Sequence, residues 1–203
     1  MTTPRRPGVD RRRFLQGAAT VAAGGMAALP VLAAAGAEEA KGAGPEVLGP
    51  GPVALTLKVN GKARAIKVEP RTTLLEALRV HCGVTGPKEV CDRGSCGACT
   101  VLLDGLAVNA CMALALDAGG KAITTTEGCA PALHEAFAKA DALQCGFCTP
   151  GMVTACAGLL GRNPSPTPDD VRDAIAGNLC RCGTYPRIVE ACRSAASSMK
   201  GGK

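Results

Sequence analysis

The cysteines of this chain fall into two regularly spaced sets, and this spacing constrains the fold more than any other feature of the sequence. The first set is Cys91-x4-Cys96-x2-Cys99-x11-Cys111, and the second is Cys145-x2-Cys148-x31-Cys180-x1-Cys182. Each set supplies four thiolates, the number that one iron-sulfur cluster needs. Because the x4-x2 triplet is typical of plant-type [2Fe-2S] sites, the chain is predicted to transfer electrons and to perform no bond chemistry itself.

The loop of the first set favours a [2Fe-2S] cluster over a structural zinc ion. Three cysteines have to converge from one short segment while backbone N–H groups approach their sulfurs, and Gly94, Gly97 and Ala98 keep bulky side chains away. Hydrogen bonds from these N–H groups to sulfur help to set a reduction potential. Zinc sites often contain Cys-x2-Cys pairs, but a triplet in a glycine-rich loop fits them poorly.

The spacing of the second set is compatible with zinc as well as with iron. Cys145 and Cys148 precede a helix that is predicted to start with Thr149 as its N-cap, and Cys180 and Cys182 lie between two predicted helices. The positive end of a helix dipole stabilises a thiolate in front of either metal. The spacing alone therefore leaves both metals open at this set.

Residues 1–37 are predicted to be a twin-arginine signal peptide. Residues 11–15 match the pattern R-R-x-F-L, although Asp10 stands where Ser or Thr is usual. The Ala- and Gly-rich run that follows ends in small-residue cleavage sites at 33–35 or 35–37. Because Gly and Pro interrupt this run, it is too weak to favour a membrane anchor. The protein is therefore expected in the periplasm, with the export machinery as its only contact with the membrane.

The signal peptide changes how the cysteines and the charge are interpreted. An even number of thiols in an oxidising compartment would predict disulfides. The twin-arginine route, however, exports proteins that fold in the cytoplasm, commonly with a cofactor inserted, and so favours metal-bound cysteines. Residues 1–37 hold five Arg and one Asp and so contribute +4 to the net charge of +6, which means that nucleic-acid binding is not predicted. Because only 2% of the residues are aromatic, metal staples are favoured over a large core.

Residues 38–52, rich in Gly and Pro, are predicted to be a flexible linker, and residues 53–128 an α+β domain. Alternating apolar residues predict strands joined by hairpin turns at Asn60-Gly61 and Asp104-Gly105. A capping box at Thr73-x-x-Glu76 predicts the start of one helix. The predicted strands cover residues 53–59, 62–68, 100–103, 106–108 and 123–126.

Residues 129–203 are predicted to form a second, helical domain. One helix is expected to run from Thr149 to Gly161, with Pro150 at its first position. A second helix is expected from a cap at Thr167 to Gly177, and a last helix from Pro186. The residue pattern therefore predicts three helices in this half of the chain.

Three motifs resemble those of the iron-sulfur subunit of the xanthine dehydrogenase/aldehyde oxidoreductase family, the molybdenum hydroxylases. They are CDRGSCGACTV at 91–101, QCGFCTPGM at 144–152 and NLCRCGTY at 178–185. Their order and separation also match, and the resemblance extends from Val53 to the last predicted helix. With the signal peptide, the chain resembles the small subunit of a periplasmic molybdenum aldehyde oxidoreductase.

The resemblance implies a β-grasp ferredoxin-like domain that holds one [2Fe-2S] cluster and a four-helix bundle that holds a second one. The second cluster would face a molybdenum cofactor, a molybdopterin, in a separate large subunit. Gln144 matches the family position that contacts the pterin. Val90 stands where the family often has Gly, and it would be strained if this position required a positive φ.

The four remaining cysteines match no ligand position of the family. Cys156 and Cys192 lie on apolar faces of predicted helices and are predicted to be small core residues. Cys82 and Cys129 have no assigned role. No P-loop, dinucleotide fingerprint or hydrolase triad is present, so a nucleotide cofactor would bind to another subunit.

The predicted function is a one-electron relay. Electrons from the molybdenum site of the large subunit would pass through the cluster of the second cysteine set, then through that of the first, to an acceptor. A FAD-binding subunit or a cytochrome c is the expected acceptor. Two alternatives are a free-standing ferredoxin-like carrier in the periplasm and a secreted module stabilised by zinc or disulfides.

Overall fold

Two hydrophobic cores, one under a five-stranded sheet and one among four helices, organise residues 48–201, the part of the chain that the computed structural model describes. The predicted signal peptide at 1–37 and residues 38–47 of the predicted linker lie outside the described residues. No helix in the described part is long and apolar enough to cross a membrane. The fold is α+β, with a β-grasp sheet followed by a helical domain, as the sequence predicts.

The sheet contains the five predicted strands in the order β2-β1-β5-β3-β4. Strands β1 and β5 pair in parallel, and the other neighbours pair antiparallel. Both predicted hairpin turns are present with two consecutive residues at positive φ, which matches the twist of the flanking strands. The strands are β1 (Val53–Val59), β2 (Lys62–Val68), β3 (Thr100–Leu103), β4 (Leu106–Asn109) and β5 (Ala122–Thr124).

One short helix packs its leucines against the sheet. In α1 (Leu74–Glu76), Thr73 Oγ1 accepts a hydrogen bond from Glu76 N at 3.2 Å, which is one of the two hydrogen bonds of the predicted capping box. The helix then widens into a single π-helical turn, Ala77–His81. Leu74, Leu75 and Leu78 are buried there, so this turn closes one side of the first core.

Four further helices form the second domain, and one of them is not predicted by the residue pattern. This helix, α2 (Pro131–Lys139), has no side-chain cap at Ala130, so its start gives no capping signal. Phe137 of α2 is nevertheless 1% exposed and packs in the helical core. The other helices are α3 (Thr149–Arg162), α4 (Pro168–Ala174) and α5 (Tyr185–Gly201).

The predicted helix ends are correct to within a few residues, with one informative error. The predicted N-cap Thr149 is wrong, because Cys148 is the N-cap and Thr149 already belongs to α3. The Thr149 hydroxyl is consequently buried without a hydrogen-bond partner. At α4, by contrast, the capping box of Thr167 and Asp170 is formed in both directions, as expected. Helix α4 ends at Ala174, before the predicted stop at Gly177, and α5 begins one residue before Pro186.

Helix α3 packs closely on the sheet because it carries glycine where the two meet. A Cβ atom at Gly158 would lie 2.9 Å from Leu102 Cδ2 of β3, closer than side chains normally approach. The sheet and the helical domain are therefore in direct contact through α3, which brings the two cysteine sets close together.

Candidate metal centres

The first cysteine loop, residues 91–99, lies between the π-helical turn and β3, and Cys111 reaches it from the segment after β4. The loop turns at three residues with positive φ, namely Asp92 at 47°, Gly94 at 72° and Gly97 at 67°. Val90 is not among the residues with positive φ, so the strain considered for it does not arise. The chain reverses after Cys91 rather than before it, and the left-handed conformation falls on Asp92.

Backbone N–H groups of the loop converge on the thiol of Cys91. Hydrogen bonds from the N–H of Arg93, the Cys96 side chain and the N–H groups of Ser95 and Cys96 lower the pKa of Cys91 to about 7, against a smaller effect of burial. Gly94 N also donates to Cys111 Sγ at 3.3 Å. A thiolate that is stabilised in this way is ready to bind a metal without a costly deprotonation.

Cys99, the buried member of this set that follows Cys96, ionises less easily than Cys91. Burial raises the pKa of Cys99 to about 11, and the neighbouring Cys111 thiol adds to the effect while the Cys111 N–H opposes it. The thiols are therefore in contact as two pairs, Cys91 with Cys96 and Cys99 with Cys111. A bound metal would displace the proton that Cys99 retains.

The second set is assembled from two places in the fold. Cys145 and Cys148 lie immediately before α3, and Cys180 and Cys182 lie just before α5. Three of the four, Cys145, Cys148 and Cys180, line a cavity of about 440 Å³. Cys96 of the first set lines the same cavity. The structure thus brings the two predicted ligand sets to neighbouring positions.

Side chains at the start of α5 support Cys180. Burial acts to raise the pKa of Cys180, but hydrogen bonds from the hydroxyl and N–H of Thr184, from Cys148 and from the Cys182 N–H together lower it to about 7. Tyr185 Oη accepts a hydrogen bond from Cys180 N at 2.8 Å and donates one to Asn178 O at 3.3 Å. The backbone from Asn178 to the N–H of Cys180 is therefore held by one tyrosine.

Cys148 is the partner that retains its proton in the second set. Burial raises the pKa of Cys148 to about 12, and the nearby Cys180 and Cys145 thiols raise it further. Cys180 and Cys148 share a hydrogen bond, so a proton lies between them in the absence of metal. Binding of a cationic centre would release this proton.

The donor sets fit two-iron clusters by their chemistry. The first set presents its thiols as two contacting pairs, and a [2Fe-2S] cluster takes two thiolates on each of two irons. N–H groups directed at sulfur complete the environment that such clusters require.

The two cysteine sets are connected by direct backbone contact. Leu179, which precedes Cys180, donates its N–H to the carbonyl of Cys96 at 2.9 Å. Asn178, 6% exposed, donates from Nδ2 to Gly97 O at 2.8 Å and to Thr100 Oγ1 at 3.1 Å. No sequence pattern predicted this role of Asn178, although the motif at 178–185 begins with it. One asparagine therefore fastens the loop of one set to the loop of the other.

Glycine allows this contact. A Cβ atom at Gly97 would lie 2.5 Å from Gly177 O, and one at Gly151 in α3 would lie 2.3 Å from Gly97 O. Both distances are shorter than side chains tolerate, and both involve backbone atoms that have little room to shift. The first turn of α3 consequently lies directly against the first cysteine loop.

Gln144 lies on the surface beside the second set. It is exposed, as is its neighbour Cys145, and it makes no hydrogen bond to another described residue. Its side chain is therefore accessible to a ligand from outside the chain.

The remaining four cysteines belong to the two hydrophobic cores. Cys156 of α3 and Cys192 of α5 are fully buried and in contact with each other, which confirms them as core residues. The hydrogen bond with Cys192, followed by burial, raises the pKa of Cys156 well above its usual value. Cys129 is 8% exposed in the same core, and Cys82 is half-buried under the sheet.

Comparison with known protein families agrees with this arrangement of two consecutive centres. Residues 57–125 match the family described as "2Fe-2S iron-sulfur cluster binding domain". Residues 122–193 match the family described as "[2Fe-2S] binding domain". The chain thus contains two [2Fe-2S]-binding domains in series, which defines it as an iron-sulfur electron-transfer protein.

Curated relatives specify the family further. The chain is 47% identical over 143 residues to the nicotine 6-hydroxylase small subunit of Paenarthrobacter nicotinovorans, which covers 68% of this chain and 87% of that protein. It is 41% identical over 166 residues to the aldehyde oxidoreductase iron-sulfur-binding subunit PaoA of Escherichia coli O157:H7, with 72% of each chain covered. The chain belongs to the family of 2Fe-2S small subunits of molybdenum hydroxylases.

Solved structures of related enzymes share the fold. Quinoline 2-oxidoreductase from Pseudomonas putida 86 has a chain with a TM-score of 0.70 and 41% identity, over 74% of this chain and 98% of that one. The aldehyde oxidoreductase of Desulfovibrio desulfuricans ATCC 27774 matches with the same score and identity. There the matching region is only 17% of a much longer chain.

Proposed function

We propose that the eight cysteines of the two sets ligate one [2Fe-2S] cluster each, and that the chain is the electron-transfer subunit of a molybdenum hydroxylase. A bound [2Fe-2S] cluster supplies one-electron redox chemistry. Electrons pass from the molybdenum cofactor of a separate large subunit through the two centres to an acceptor. The observation that carries this proposal is the hydrogen bond from Leu179 N to Cys96 O, because it joins the two sets directly.

The residues of the chain contribute position and electrostatics to this function. Cys96 belongs to the first set, and Leu179 is covalently bonded to Cys180 of the second, so one hydrogen bond spans the gap between them. Asn178 keeps this contact in place from a buried position. The separation of the two centres is therefore set by rigid backbone rather than by mobile side chains.

Electron paramagnetic resonance of the dithionite-reduced protein tests the ligand assignment. Two distinct rhombic [2Fe-2S] signals are expected, and Cys96→Ser and Cys182→Ser should each abolish or alter one of them. Cys82→Ser is the matched control, since Cys82 lies in neither set, and both signals should persist in it. A colourless protein that contains zinc or disulfides would contradict the proposal, and so would equal loss of both signals in each variant.

The partner of the chain is a large subunit, and we propose that it docks on the face around the second set. Val90, Phe147 and Leu179 are 53%, 54% and 59% exposed, and all three line the cavity that contains Cys145, Cys148 and Cys180. Large apolar side chains clustered on a surface are typical of interfaces. In the Desulfovibrio enzyme the corresponding region is continuous with a much larger chain, which supports a large partner rather than a free-standing carrier.

The docking face also contains the proposed cofactor contact. Gln144 is exposed next to Cys145, where it can donate or accept hydrogen bonds with the pterin of a molybdopterin in the large subunit. Co-purification with the large subunit should be lost in Phe147→Glu and Leu179→Glu. Leu106→Glu is the control, because Leu106 is 56% exposed but lies outside this cavity. Loss of the complex in the control alone would contradict the proposed face.

The location and the acceptor follow from the signal peptide. Residues 11–15 support twin-arginine export to the periplasm, where a cytochrome c or a FAD-binding subunit would accept the electrons. Replacement of Arg11 and Arg12 by Lys should retain this chain and the large subunit in the cytoplasm. A large subunit that is still exported with this variant would show that it has its own signal.

The substrate is selected by the large subunit, and we propose an aldehyde, as for PaoA. The relative named nicotine 6-hydroxylase supports an N-heterocycle as the second candidate. Dye reduction by the purified complex with a panel of aldehydes and with nicotine decides between the two. Turnover of nicotine alone would exclude the aldehyde assignment.

A further inference from the structure

The base of the first cysteine loop, residues 85–87, is held from two sides by side chains of opposite charge. Arg79 Nη1 donates to Thr85 O at 3.2 Å and to Pro87 O at 2.8 Å. Between these carbonyls, Gly86 N donates to Glu127 Oε1 at 2.7 Å. The guanidinium of Arg79 thus donates to two carbonyl groups of this segment, and the carboxylate of Glu127 accepts from the N–H group between them. Hydrogen bonds to charged groups are stronger than those between neutral groups.

Glu127 is itself fixed by a hydrogen-bonded chain that leads back to the sheet. Its Oε2 accepts a hydrogen bond from Thr125 Oγ1, and Thr125 is fully buried. Thr125 Oγ1 accepts from Asn60 Nδ2 at 2.8 Å, while Thr125 N donates to Asn60 Oδ1 at 2.9 Å. Asn60 belongs to the tight turn between β1 and β2. The carboxylate is therefore positioned by the most regular part of the fold.

The atoms around this series of hydrogen bonds leave no space for a side chain at Gly86 or Gly128. A Cβ atom at Gly86 would lie 2.5 Å from Glu127 Oε2, and one at Gly128 would lie 2.3 Å from Asn60 Oδ1. Gly86 and Pro87 are both buried. The short contacts of Glu127 therefore depend on glycine at both positions.

The base of the loop is connected directly to the predicted ligands. Lys88, the residue after this segment, donates its N–H to Ala98 O at 3.0 Å. This hydrogen bond connects the base of the loop to the residue before Cys99. Only residues 88–90 separate Pro87 from Cys91. A displacement at Gly86 is therefore transmitted to both ends of the loop.

We propose that Arg79 and Glu127 are positioning residues for the first cluster. They hold residues 85–87 so that Cys91 and Cys99 are presented at a fixed separation, and Glu127, in the 3₁₀ turn Thr126–Gly128 between β5 and α2, links the loop to the start of the helical domain. This inference rests on the proposed function in one respect, namely that the first set binds a cluster. Among the described residues, neither side chain hydrogen-bonds to a cysteine of the second set, so the second set serves as an internal reference.

The test uses the complete small subunit in its complex, with Glu127→Ala, Glu127→Gln and Arg79→Lys. Glu135→Ala is the matched control, because Glu135 forms an ion pair with Lys139 on an exposed helix surface. The readouts are the two paramagnetic resonance signals, the midpoint potential of each cluster, the rate of iron release and hydrogen exchange of the Gly86 amide.

In Glu127→Ala, exchange of the Gly86 amide should accelerate by about tenfold or more, because a hydrogen bond to a charged group is lost. The first-set signal and its potential should shift and iron release should accelerate, while the second-set signal stays constant. Glu127→Gln retains an acceptor oxygen and should restore most of the wild-type behaviour. Arg79→Lys should give a smaller shift of the same signal, and Glu135→Ala none.

An unchanged first-set signal in Glu127→Ala would overturn the proposal, and so would equal changes in both signals, which would indicate general destabilisation. If Glu127→Ala does not fold, the selective shift has to appear in Arg79→Lys, and its absence there also overturns the proposal. If the wild-type protein itself lacked [2Fe-2S] signals, the proposed function would fail. Amide exchange at Gly86 would still report whether the two side chains hold the loop.

Discussion

The two cysteine sets reach similar donor arrangements by different routes. In the first set, three of the four cysteines belong to one loop, and backbone N–H groups of that loop converge on Cys91. In the second set, two pairs separated by 31 residues meet where α3 and α5 begin, and the side chains of Thr184 and Tyr185 support Cys180. The first centre therefore depends on local backbone geometry, and the second depends on the packing of the helical domain.

The largest predicted effect is a difference in the reactivity of the thiols. This difference is expected between cysteines of the same set rather than between the two sets. In metal-free protein at pH 7, Cys91 and Cys180 have a pKa of about 7 and are partly ionised, whereas Cys99 and Cys148 have pKa values of about 11 and about 12. Because the thiolate is the nucleophile, iodoacetamide should modify Cys91 about a hundredfold faster than Cys99. Mass spectrometry of peptides across a pH series measures the rates.

The sign of this pH dependence follows from the ionisation. Alkylation of Cys91 and Cys180 should fall as the pH drops below about 7, and that of Cys99 should rise only at strongly alkaline pH. Equal rates for Cys91 and Cys99 at pH 7 would show that the N–H groups do not stabilise Cys91.

The next largest effect is expected when the helical core is damaged. Phe137→Ala removes a fully buried ring from α2 and should lower the free energy of unfolding by about 3–5 kcal/mol. Because Cys148 and Cys180 pack against this core, the second-set resonance signal should be lost at lower denaturant concentration than the first-set signal. Loss of both signals together would mean that the two centres depend equally on the helices.

A smaller effect is expected at the contact between α3 and the first cysteine loop. Gly151→Ala places a Cβ atom 2.3 Å from Gly97 O and should destabilise the protein by about 1–3 kcal/mol, as overpacking typically does. Gly161→Ala in the same helix is the control, since a Cβ atom there meets nothing within 4 Å and alanine favours the helix. Thermal unfolding of both variants measures the difference, and equal melting temperatures would contradict the close contact.

The smallest effect on stability is expected at Asn178. Asn178→Ala leaves Gly97 O without its side-chain donor in a buried position and should cost about 1–2 kcal/mol. Both resonance signals should remain, but electron transfer between the two centres should slow, because the contact of Leu179 with Cys96 is loosened. Stopped-flow reduction of the complex would detect this slowing. An unchanged rate would show that Asn178 has no part in electron transfer between the two centres.

Local signals in the sequence predicted much of the fold. The five strands and the two Asn-Gly and Asp-Gly turns follow from alternation and turn chemistry, and the capping box at Thr167 follows from its own four residues. Errors occur where the tertiary context replaces a local signal. Thr149 is a residue type that commonly serves as an N-cap, but the N-cap is Cys148, a member of the second set. Helix α2 has no side-chain N-cap, and the burial of Phe137 shows that packing in the helical core holds it in place.

The spacing of the cysteines by itself determined the nature of the protein, because three ligands within one glycine-rich loop specify a cluster site through local geometry. The sequence also predicted both ligand sets and identified the family. Only the tertiary structure decided how the sets relate to each other. The contacts of Asn178 with Gly97 and of Glu127 with Gly86 join residues 81 and 41 positions apart. Such hydrogen bonds form only when packing brings distant backbone groups together, so no local pattern announces them.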